Sequence, residues 1–110
     1  MKKHDLQDFV RGWLVGDFDP SLVKSTNIEV GIQYYKADDR EPKHVHKIAR
    51  EITVIIYGRV TMSGVEYVKG DIIDIPPSVP ADFVALEDTA TVVIKSPSVP
   101  SDKYLMDLTC

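Results

Sequence analysis

Cysteine is nearly missing from this chain: its one thiol among 110 residues is Cys110. No intrachain disulfide can form, which excludes a disulfide-stapled scaffold and leads us to expect a reducing compartment. Long apolar runs are missing too, and nothing approaches the roughly 20 residues of a membrane span. The charged start Met1-Lys2-Lys3-His4-Asp5 is followed by no apolar segment of the secretory kind. A cytoplasmic location and no membrane partner are therefore expected. Positive charge is not in excess. The net charge of -4 argues against a nucleic-acid partner, because phosphate binding needs a basic surface. Internal repeats and low-complexity tracts are lacking. The apolar share of 44% and charged share of 27% are ordinary for a folded domain, which excludes wholesale disorder. A chain this short has room for one core.

What is present is mostly strand and turn. Leu6, Phe9, Val10 and Trp13 recur at three- and four-residue spacing, which predicts a short amphipathic helix or turn over 5–14, kept brief by Gly12 and Gly16. Residues 17–27, with Pro20, read as loop. Residues 1–27 are thus expected to pack as a helix and loop on a β domain formed by 28–110. Strands are predicted over 28–35, 52–57, 60–62, 65–67, 72–75 and 90–94, with a last one over 104–108. A polar turn is expected over 38–42, a hairpin turn at Ser63-Gly64, and an end to the 72–75 strand at Pro76-Pro77. Ser96 to Ser101 reads as an extended linker. Short strands about ten residues apart indicate an all-β, antiparallel β-barrel or sandwich. Several strands, Ile52 to Tyr57 above all, are apolar on both faces. One face fills the core and the other must be covered, so a homodimer is expected.

The chemistry concentrates in His44-Val45-His46, followed by Glu51 and Gly58. On a strand, residues two apart share a face, so the two imidazoles are expected side by side. Glu51 lies at an odd offset from them. The intervening Lys47-Ile48-Ala49-Arg50 must bend, so that Glu51 opens a neighbouring strand with its carboxylate turned inward. Two neutral imidazoles and one carboxylate with open positions suit non-haem Fe(II), and equally Zn, Ni or Mn. Histidines two apart on a strand are also often no more than polar residues on one face. Lys43, Lys47 and Arg50 around them read as a solvated rim.

The segment resembles the first sequence motif of the cupin family: HxH, three or four residues, E, six residues, G. His44, His46, Glu51 and Gly58 fill every one of those positions. The second cupin motif is matched at Gly70 and Pro76 only. Ser78 stands where the family has glycine, Ala81 where it has a fourth, histidine ligand, and Ala85 where it has asparagine. Asp38 stands where a glycine opens the first motif. The resemblance covers roughly residues 28–95 and implies a small single-domain, RmlC-like cupin with a double-stranded β-helix, or jelly roll.

A cupin would hold a divalent metal through His44, His46 and Glu51, unless the loss of the Ala81 ligand has cost it the ion. The resemblance leaves two further readings open. One is metal-free isomerisation or epimerisation of nucleotide-linked sugars with His46 or His44 as the base, for which Pro42-Lys43-His44-Val45-His46-Lys47 resembles the histidine–lysine segment of sugar ketoisomerases. The other is a non-catalytic barrel binding a small-molecule ligand. Thr53, on the face of Glu51, and the aromatics Tyr34, Tyr35, Tyr57 and Phe83 are candidate pocket walls, although plain core packing is the commoner role of such aromatics. Asp74 is expected to face outward, and Asp82 to turn away from Ala81. His4 has nothing to place it near the others.

Overall fold

Alternation of buried and exposed side chains shapes the chain in the computed structural model, which describes residues 1–106. The strands are β1 (Trp13–Gly16), β2 (Val23–Lys24), β3 (Glu29–Tyr35), β4 (Arg40–Val45), β5 (Arg50–Tyr57), β6 (Arg59–Met62), β7 (Val65–Val68), β8 (Ile72–Ile75), β9 (Ala81–Ala85), β10 (Thr89–Ser96) and β11 (Tyr104–Leu105). They form a six-stranded sheet, β2-β1-β3-β10-β5-β8, and a five-stranded sheet, β11-β4-β9-β6-β7. Pairing is antiparallel apart from β1 with β2. The domain is all-β, and the expected barrel takes the form of two facing sheets.

The core lies between the sheets. Ile55, Ile73 and Ile75 from one meet Val60, Met62, Phe83 and Ala85 from the other. Burying a side chain such as Ile55 contributes roughly 1.5–3 kcal/mol. Along β5 the inward row runs Glu51, Thr53, Ile55, each 9% exposed or less, so it passes from polar to apolar over a few residues. The outward residues Ile56 and Ile72 are 45% and 66% exposed. This sheet therefore carries an uncovered apolar outer face.

The N-terminal segment takes the turn form of the expected helix or turn. It forms two 3-10 turns, Leu6–Asp8 and Val10–Gly12, the first capped by the Asp5 side chain. Arg11 and Gly12 have left-handed φ of 51° and 79°, which ends any helical run. A side chain at Gly12 would collide with the Ile32 carbonyl, its Cβ only 2.0 Å from the oxygen, so the chain runs directly against β3. Trp13 is already strand, and its ring lies where a side chain at Gly31 would be. The apolar spacing of 5–14 thus reflects packing onto β3. The segment read as loop, 17–27, includes the short β2. The expected turn over 38–42 is confined to its start, since β4 begins at Arg40. The last strand is Tyr104–Leu105, and the rest of its predicted span, from 107, lies outside the described residues. Among those residues no helix is long and apolar enough to cross a membrane.

Candidate functional site

β4 lies in the five-stranded sheet and β5 in the six-stranded one, so residues 46–49 carry the chain from one sheet to the other. The bend expected between His46 and Glu51 exists, but it leads across the sandwich instead of to a neighbouring strand. Glu51 therefore faces the histidines from the opposite sheet. His44 and His46 sit with ring centroids 5.2 Å apart and planes at 77°. One ligand atom from each of His44, His46 and Glu51 lies within 4.8 Å of the others. His46 and Glu51 are buried and His44 half-buried.

Hydrogen bonds select the histidine tautomers. His44 Nδ1 is 3.0 Å from the Pro42 carbonyl, and His46 Nδ1 meets the carbonyl of Asp102. A carbonyl only accepts, so each Nδ1 carries a proton, and Nε2 is the nitrogen of each ring that is free to offer a lone pair to a cation. His46 Nε2 lies 3.3 Å from Glu51 Oε1, yet it is buried without a hydrogen-bond partner. Two electron-rich atoms at that separation need a cation or a proton between them. Two ligands about 2.1 Å from one ion at a tetrahedral angle lie about 3.4 Å apart, so the residues fit a metal. Burial pushes the Glu51 carboxyl up, but the contact with His46 and the nearby Lys95 and His44 outweigh it and hold the group below the usual carboxylate range. Thr53 Oγ1 donates to Glu51 Oε2 at 3.2 Å.

The cluster opens on a cavity of about 360 Å³. Thr53, Tyr35 and Phe83 line it, with the Tyr35 and Phe83 rings 4.4 Å apart. Burial, followed by the carboxylates of Glu41 and Glu51, pushes the Tyr35 phenol far above its ordinary range, so it stays a proton donor. Tyr57 is not a wall. It is 45% exposed at the end of β5, where Gly58 turns the chain away with φ 97° and approaches Thr89 too closely for any side chain. Tyr34, 65% exposed, points outward as well. Ala81 lines the cavity and is the register partner of His44. Asp82 Oδ1 accepts from the Ser63 amide at 2.7 Å, and Asp74 is paired with Arg50 on the exterior. His4 is exposed and outside the cluster.

Two buried acids were not anticipated. Glu29 is 4% exposed, accepts from Ser98 Oγ at 2.9 Å, and lies 3.8 Å from Lys95 Nζ. Lys95 is the register partner of both Glu29 and Glu51, which places a cation between two carboxylates on the cavity floor. The alternation of β10 was the signal for it. Asp102, 2% exposed, accepts from the amides of Lys47, Ile48 and Ala49 at 2.9 Å each. Burial works to raise its carboxyl, but these donors more than offset that and hold it below the ordinary range. A lowered folded-state value means that the ionised group stabilises the fold above its unfolded value near 4, and that this is lost as pH falls through the folded value. Asp102→Asn is expected to cost about 1–3 kcal/mol at pH 7, because one amide loses its acceptor. In urea unfolding the deficit narrows below about pH 4. An unchanged deficit at low pH would mean that the carboxylate charge contributes nothing.

No family model and no curated protein sequence matches the chain. Solved structures do. A protein with a double-stranded beta-helix domain from Klebsiella pneumoniae subsp. pneumoniae MGH 78578 is similar over 97% of this chain and 98% of its own, at TM-score 0.71 and 14% identity. KdgF from Halomonas sp. is similar over 68% of this chain and 74% of its own, at TM-score 0.62 and 20% identity. DMSP lyase DddQ from Ruegeria pomeroyi DSS-3 is similar over 86% of this chain, at TM-score 0.71 and 20% identity, and this chain spans 49% of its length. Further neighbours are a cupin-2 domain protein and an RmlC-like cupin, both from Shewanella frigidimarina NCIMB 400. The chain has the cupin fold. At these identities the likeness concerns the fold alone.

The backbone is consistent with the motif register at two positions. Asp38 and Ser78, which stand at cupin glycine positions, have left-handed φ of 75° and 69°. That conformation favours glycine and costs other residues about 1–2 kcal/mol. The Ser78 amide donates to the His46 carbonyl at 2.7 Å, which ties the second motif to the first.

Proposed function

We propose that this cupin holds one divalent metal ion through His44 Nε2, His46 Nε2 and Glu51, and takes a small-molecule ligand into the adjoining cavity. One observation carries this reading: backbone carbonyls occupy Nδ1 of both histidines, and His46 Nε2 faces the buried Glu51 carboxylate without a hydrogen-bond partner. When bound, a divalent ion would polarise an oxygen of the ligand as a Lewis acid. The chain's own contribution is to orient. Thr53 fixes one Glu51 oxygen, Tyr35 offers a protonated phenol, and Phe83, Met62 and Trp13 supply apolar wall.

Thermal unfolding with added Ni, Zn, Mn or Fe(II) tests the reading. An ion at a hundredfold excess over its Kd adds about 2.7 kcal/mol. That corresponds to a rise in Tm of roughly 10 °C or more in a domain of this size, reversed by chelator. No shift with any of the four would overturn it.

A second reading rests on the same atoms. His46 Nε2 and the Tyr35 hydroxyl line one cavity, a nitrogen able to accept a proton beside a hydroxyl able to donate a hydrogen bond, as a metal-free sugar isomerase would use them. It requires a Tm shift with nucleotide-sugars in the presence of chelator, where the metal reading requires none. The uncovered outer face of the six-stranded sheet, including Val54, Ile56, Ile72 and Val92, supports pairing of two copies. Sedimentation is expected to give a dimer and Ile56→Lys a monomer, whereas a monomeric parent chain would refute the pairing.

A further inference from the structure

After β10 the chain crosses from the six-stranded sheet to the edge of β4, where Tyr104 pairs with Val45 and Leu105 with His44. Midway, the Ser98 amide donates to the Thr26 carbonyl and the Asp102 amide to that of Val99, both at 2.9 Å. These bonds fix Asp102 directly behind the histidines. Its carbonyl receives Nδ1–H of the His46 ring, and its carboxylate receives the three amides that follow His46. The loop it holds is the one that separates His46 from Glu51. Ring and loop are therefore fixed by one residue 56 positions away in sequence.

We propose that Asp102 is the positioning residue of the His44–His46–Glu51 centre: its main chain sets the His46 tautomer and its side chain sets the path from His46 to Glu51. The carboxylate acts through the loop and never meets an ion. A histidine ligand whose second nitrogen donates to a fixed acceptor is held in one orientation with its lone pair outward. Here that acceptor is only as fixed as the carboxylate's grip on the 47–49 amides. With the grip loosened, the crossing segment and the loop drift apart and the His46 ring loses its acceptor.

The affinity arm of the test rests on the metal reading above, and the tautomer arm does not. With Co2+ as the probe, Asp102→Asn is expected to weaken binding about 10- to 100-fold. Val60→Ala, a core change outside the cavity, serves as the control for lost stability. It is expected to lower Tm and leave Co2+ affinity within about threefold, since it touches none of these residues. Unchanged Co2+ affinity in Asp102→Asn, or an equal loss in Val60→Ala, would overturn the positioning role.

If the parent chain takes up no Co2+, the metal reading fails by itself and the histidine ring decides the inference. Nitrogen NMR of the parent chain is expected to show His46 as a single tautomer protonated at Nδ1, and Asp102→Asn to show a mixture. A mixture in the parent chain, or one tautomer in both, would overturn the proposal. The parent measurement stands even where the variant does not fold.

Discussion

Metal uptake is expected to vanish in His46→Ala, from about one equivalent to less than a tenth, because this residue would supply the most constrained ligand of the proposed centre. It is 6% exposed, its Nδ1 is committed to Asp102, and its Nε2 faces Glu51 at 3.3 Å. Among the described residues no other histidine, cysteine or carboxylate joins the cluster, and His4 is exposed elsewhere. Stability is expected to fall as well, by roughly 2–5 kcal/mol, the usual cost of truncating a large buried side chain. Glu51 would keep Thr53 and the more distant Lys95, but not the contact that holds its carboxyl down. His44→Ala separates the two effects, since this ring is only half-buried. It is expected to remain folded and lose most of the metal. Elemental analysis of both variants alongside the parent chain checks this, and full metal in folded His46→Ala would show the ion bound elsewhere.

The opposite change adds a ligand. Ala81 is the register partner of His44 and faces the cavity, so Ala81→His places a third imidazole beside the first two. Across an antiparallel pair the two Cα atoms lie about 4.5–5.5 Å apart, within reach of one ion. The cavity of about 360 Å³ can take the ring without displacing the core. Affinity for Ni or Zn is expected to rise at least about tenfold, equivalent to about 1.4 kcal/mol. Calorimetric titration of parent and variant measures it. Unchanged affinity would mean that residue 81 cannot direct a ring at the histidines.

Much of the architecture was legible because it depends on local patterns. The run Ile52 to Tyr57, apolar on both faces, marked a strand buried between two others, and it is paired on both sides by β10 and β8. The Ser63-Gly64 turn fell where β6 and β7 meet. His44, His46 and Glu51 were legible from two-residue periodicity and motif spacing together. What the sequence hid is non-local. Nothing near Trp13 announces that Gly31 leaves room for its ring, so the first residues of β1 were read into the helix or turn of 5–14. The bend after His46 was legible but its destination in the other sheet was not, since sheet membership depends on distant pairings. Asp102 has no signature at all: its carboxylate binds main-chain amides, which every residue but proline possesses. Tyr57 was misplaced because alternation gives a side chain's direction but not the point where a strand leaves the core.

The most direct test of the metal centre is the metal content of the untagged chain, purified after supply with Fe, Ni, Zn and Mn. The donor set of His44, His46 and Glu51 predicts about one equivalent of a single ion per chain. Less than about a tenth of an equivalent of every one of the four would contradict it.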